Sequence, residues 1–84
     1  MKFMYSVFDK KSQLYAVPFI EVNDGTAIRA IQDIMRNPEH PFARYPGDYD
    51  LIRVGEWSDE TCVITQDAPV NIIEFGQLKE VSDE

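Results

Sequence analysis

The segment VNDGTAIRAIQDIMRNP constrains this 84-residue chain more than any other. Ala27, Ile28, Ile31, Ile34 and Met35 recur in it at spacings of three and four, forming one apolar stripe along an α-helix. Asn23, Asp24 and Thr26 are candidate caps at its start, and Asn37-Pro38 supplies a stop. Arg29, Gln32, Asp33 and Arg36 lie off the stripe. Arg29 and Asp33, four apart, are placed to pair along the helix surface, an interaction worth only about 0.2–0.5 kcal/mol. A helix with one apolar stripe needs a surface to bury it against, so the partner must come from the flanking segments.

Those segments alternate. KFMYSVFD sets Phe3, Tyr5 and Val7 against Met4, Ser6 and Phe8, the pattern of a strand. DKKS, residues 9–12, reads as a turn and QLYAVPFI as a second strand, with Pro18 marking its edge or end because proline donates nothing to a ladder. PEHPFARYPGD is a loop with three prolines. YDLIRVGEW resumes strand character, SDET reads as a hairpin turn and TCVITQ as a fourth strand. Asp67-Ala68-Pro69 then breaks it, and VNIIEFGQL fits a fifth strand or a short helix equally well. The expected product is one α+β domain over residues 1–78: a mostly antiparallel sheet of four to five strands, built from two hairpins and packed against one central helix. Residues 79–84 are expected to form a disordered acidic tail.

A core this small has little surplus stability, which makes a homodimer an attractive supplement. The single cysteine, Cys62, excludes an intramolecular disulfide and a thiolate metal cage, and beside Val63 it reads as a small buried thiol in mid-strand. No apolar run reaches the roughly 20 residues of a membrane span, and the N-terminus lacks the pattern of a signal peptide.

Catalysis finds little support. His40 is the only histidine, and no convergent nucleophile, base and orienting group accompanies it. Asp48 and Asp50 read as solvated or capping acids, and no spacing suggests a metal site or a cofactor. The chain is therefore read as a non-enzyme without catalytic or metal-binding residues.

Nucleic-acid binding has more material. Fifteen Asp and Glu against eight Lys and Arg leave a formal charge of −7, which opposes nucleic acid unless the basic residues cluster. Three of the acids fall in the last five residues, so the rest of the chain is only mildly acidic. Single-strand binding needs aromatic faces and a basic track. Tyr45 and Tyr49 supply the faces, whereas Phe42 and Trp57 read as core. Lys10, Lys11, Arg36, Arg44 and Arg53 supply the charge, and ARYPGD places Arg44 and Tyr45 side by side on a loop.

The N-terminal aromatic strand, the Pro18-Phe19 pair, TAIRAIQDIMRNP and PFARYPGDYDLIRVGEWSDET together resemble the small nonstructural protein of gokushovirus-type microviruses, tailless single-stranded DNA phages. The most specific pieces are Ala27-Ile28-Arg29 and the YPGDYDLIRVGEW block, and the resemblance fades after Asp67. Thr61-Cys62 stands where such proteins often carry Thr-Gly. The resemblance implies a DNA-binding role in the cytoplasm of the bacterial host, favouring single-stranded genome synthesis and packaging. A competing expectation is an adaptor that binds a phage replication protein or a host protein and never touches DNA.

Overall fold

In the computed structural model, the backbone is described for residues 1–82 and the side chains for residues 1–78. Strand β1 (Lys2–Asp9) lies between two neighbours. On one edge it pairs antiparallel with β2 (Leu14–Tyr15) and β3 (Phe19–Glu21). On the other it pairs with β4 (Tyr49–Trp57), which in turn carries β5 (Ile64–Glu74). The result is a five-stranded antiparallel sheet.

The expected second strand is thus two pieces. Pro18 interrupts the ladder, and Ser6 Oγ donates to the Ala16 carbonyl (2.8 Å) across the gap. The expected break at Asp67-Ala68-Pro69 does not end a strand. Register passes from Gln66 opposite Gly55 to Val70 opposite Arg53, so three residues bulge where β4 presents Val54 alone. Residues 70–78 are both alternatives in turn: β5 runs to Glu74 and helix α3 (Phe75–Ser82) follows directly. The tail expected over 79–84 falls on the end of α3 and on residues 83–84, which lie outside the described residues.

Helix α1 (Asp24–Met35) starts in a reciprocal cap. The Thr26 N–H donates to Asn23 Oδ1 (3.0 Å) and the Asn23 N–H donates to Thr26 Oγ1 (3.2 Å), which satisfies two of the orphan donors of a helix start. Its surface ion pair joins Asp33 to Arg36 (3.3 Å) rather than to Arg29. The expectation of one central helix is corrected: α1 shares the layer over the sheet with α3, and a short α2 (Pro41–Arg44) and a 3-10 turn (Pro46–Asp48) occupy the expected loop.

The core lies on one face of the sheet, where Tyr5, Val7 and Leu51 meet Ala27 and Ile31 of α1 and Phe75 and Leu78 of α3. Strand alternation sends the odd residues of β1 into this layer and the even ones to the opposite face.

Cys62 is the clearest local departure from expectation. It is exposed, not buried, and sits in the β4–β5 turn with φ of 63°, a left-handed conformation that favours glycine.

Candidate functional site

The antiparallel register Asp9 opposite Tyr49 brings the turn after β1 beside the turn before β4. The Lys10 N–H donates to the Asp48 carbonyl (2.9 Å), and this contact places Lys10 and Lys11 at the same end of the sheet as the ARYPGD loop. At this end Tyr45 is 51% exposed, with the Arg44 guanidinium 5.3 Å from its ring centroid. Both residues stand out because α2 and the 3-10 turn meet here: the Tyr45 N–H closes α2 on the Pro41 carbonyl, and Pro46 starts the next turn at once. Among the described residues no carboxylate lies within ion-pair distance of Lys11 or Arg44.

The other expected contact residues are engaged within the fold. Lys10 Nζ reaches Glu74 (2.8 Å), the Gly47 carbonyl (3.1 Å) and Asp50 (3.4 Å), which uses the three donors of its ammonium. Its pKa is raised, first by the hydrogen bond to Glu74 and then by Asp50. Arg53 stands in the middle of β4, where Nη1 meets both carboxylate oxygens of Asp24 (3.2 and 3.3 Å) and the guanidinium lies over Phe3. Asp24 also accepts from the Tyr5 hydroxyl (2.6 Å), so Arg53 and Tyr5 together tie the sheet to the first turn of α1. Arg36 pairs with Asp33 on the exposed side of α1, where the pair contributes little. Tyr49 is half-buried, its ring packed against Phe42 (4.8 Å) and Phe75 (5.8 Å), so it offers no free stacking face. His40 caps α2, its Nδ1 accepting from the Phe42 N–H (3.1 Å). Of the seven expected residues, Lys11, Arg44 and Tyr45 lie at one end of the sheet, the two cations without a carboxylate in ion-pair distance among the described residues. Asp9, Asp48, Asp50 and Glu74 crowd the same end, so the local field is not basic.

One aromatic step escaped the sequence reading. Phe8 and Tyr15 face each other across β1 and β2, ring centroids 4.7 Å apart, and Tyr15 is 57% exposed on the sheet face away from the helices. The alternation of β1 exposes that second face, but only the pairing with β2 puts a tyrosine beside Phe8.

Three of these groups tie stability to alkaline pH. Burial and then the Asp24 carboxylate raise the Tyr5 hydroxyl well above its ordinary value of 10.0. Burial, then Asp9 and Asp48, raise Tyr49, and Lys10 is raised as described. A raised folded-state pKa means that the native chain keeps a proton the unfolded chain has lost. The associated stability is complete below the unfolded values near 10 and falls as pH rises toward the folded ones. Urea unfolding at stepped pH should show a decline beginning above about pH 10 and shallower in Tyr5→Phe. An equal decline in that variant would remove Tyr5 from the account.

Among the described residues no group of His, Cys, Asp and Glu could hold a metal ion, and no helix is long and apolar enough to cross a membrane. Fold and site together define a small α+β domain whose distinctive exposed chemistry is an arginine–tyrosine step at the same end of the sheet as a lysine turn. The chain belongs to the Phage ORF5 protein family, whose model matches residues 2–78. No curated protein and no solved structure was matched.

Proposed function

We propose that this protein is a cytoplasmic, non-enzymatic nonstructural protein of a gokushovirus-type microvirus that binds single-stranded DNA with little sequence preference, assisting single-stranded DNA synthesis or packaging. The observation that carries this reading is the exposed Arg44–Tyr45 step at the same end as Lys11. Tyr45 is the stacking platform, while Arg44 and Lys11 contact phosphates on either side. Lys10, Arg36 and Arg53 are engaged with carboxylates, so the phosphate-contacting set shrinks to two side chains per copy. Binding is accordingly weak, and its salt slope shallow.

Titration of a labelled oligonucleotide at two salt concentrations tests this. The expected result is binding at low salt that weakens as salt rises. Tyr45→Ala should reduce affinity by about 1–3 kcal/mol, the worth of one stacked base. Binding that ignores salt, or an Arg44→Ala, Tyr45→Ala double variant with unchanged affinity, would remove this site.

The second reading is an adaptor for a replication or host protein. The carboxylates around Lys10 favour it, because Asp9, Asp48, Asp50 and Glu74 repel phosphates from the same end of the sheet.

A further inference from the structure

We infer that the sheet face turned away from the helices is the interface of a homodimer, with two copies stacked face to face about a two-fold axis. The inference stands independently of DNA binding. The helices α1 and α3 and the core lie on one side of the sheet. On the other side, alternation and register align Lys2, Trp57 and Ile64 in one cross-strand row, with Ile20 opposite Met4 in the next. Ile64 is 59% exposed and Ile20 41%, and no element among the described residues covers them. At the centre, Ser6, Tyr15, Pro18, Val54 and Pro69 line a hollow of about 280 Å³. Ser6, Ile52 and Asp50 on this face are buried within the single chain, so it is Ile64, Ile20 and Tyr15 around them that lack the second layer such faces normally pack against.

The charges on the face identify the occupant. Lys2 stands at one end of β1, and at the other Asp50 stands opposite Phe8 with Glu74 opposite Asp50 on β5. Lys10 shares those two carboxylates, so that end keeps a negative excess. A two-fold axis lying in the interface and running across the strands lays the Lys2 end of each copy over the Asp50–Glu74 end of its mate. The surface is therefore complementary to itself, which is what an isologous interface requires. The chain's net charge of −7 opposes association at long range, but the face itself carries Lys2 and Lys10 against Asp50 and Glu74, so the contact adds no excess of either sign. Single-stranded DNA fits worse: the carboxylates of this face would meet its phosphates.

Light scattering on the full chain, with the emission of the single Trp57 followed on dilution, tests the proposal. The expected result is a dimer whose Trp57 emission shifts to the red as it dissociates. Ile64→Lys should weaken association about tenfold or more with an unchanged circular dichroism spectrum, since that side chain is exposed in the single chain. Lys2→Glu should also weaken it, and adding Glu74→Lys to Lys2→Glu should recover part of the loss. A monomer at high concentration would overturn the proposal. So would a dimer indifferent to Ile64→Lys and Lys2→Glu, which would associate by another surface such as the β5 edge. A monomer whose Trp57 emission responds to added oligonucleotide would assign the face to DNA, and would also overturn it.

Discussion

Phe75→Ala is expected to cost about 3–5 kcal/mol and to leave much of the protein unfolded in mild urea. Phe75 is fully buried and opens α3 immediately after β5. Its ring meets Phe42 edge-on at 5.0 Å and lies 5.8 Å from the tilted Tyr49 ring. Those neighbours come from α2 and the start of β4, so the alanine cavity sits where four elements join. Collapse into the cavity would have to move α3 across the sheet and uncover Leu78 as well. Urea denaturation followed by circular dichroism measures the loss. A change under about 1 kcal/mol would mean that the aromatic cluster is not part of the cooperative core.

The second large effect is expected at Gly55. It pairs with Met4 on one side and Gln66 on the other, next to the bulge at Val54. A Cβ here would press into the Thr65 carbonyl oxygen, closer than real Cβ contacts come, with the carbonyl carbon at 3.3 Å and Gln66 Cα at 3.4 Å. The obstacle is backbone of the paired strand, so no rotamer relieves it. Gly55→Ala should therefore cost about 3 kcal/mol and spread β4 from β5. Amide exchange should quicken over residues 64–66 while the Asp50–Glu74 end stays protected. Uniform protection along β5 in the variant would contradict this account. Gly47 is the natural control: an added Cβ meets nothing within 4 Å there, so Gly47→Ala should leave exchange in β5 unchanged.

Both effects depend on pairings that differ in how readable they are from the chain. Helix α1, strand β1 and strand β4 follow from periods of 3.6 and 2 within a few residues, and those periods act locally. The passage of β5 through Asp67-Ala68-Pro69 is different. Proline and aspartate look like a stop, yet β4 bulges at Val54 and leaves room for three residues opposite it. Cys62 looked buried because Val63 follows it, but the turn from Ser58 forces it into a left-handed corner.

The candidate site divides along the same line. The Arg44–Tyr45 step was legible because prolines on both sides hold the pair in a short exposed turn. The fate of the other cations was not. Lys10 meets Glu74 from 64 positions away, and Arg53 meets Asp24 from 29. A charged residue in a sequence carries no mark of whether a carboxylate will reach it.

By itself the sequence determined the α+β class, the capped helix, the strand alternation and the absence of an intramolecular disulfide, since each rests on residue type and near spacing. The tertiary structure alone decided which cations stay available, that α3 completes the helical layer, and which apolar residues share the uncovered face. Those outcomes depend on register between segments distant in the chain, and register is set by the packing of the whole core.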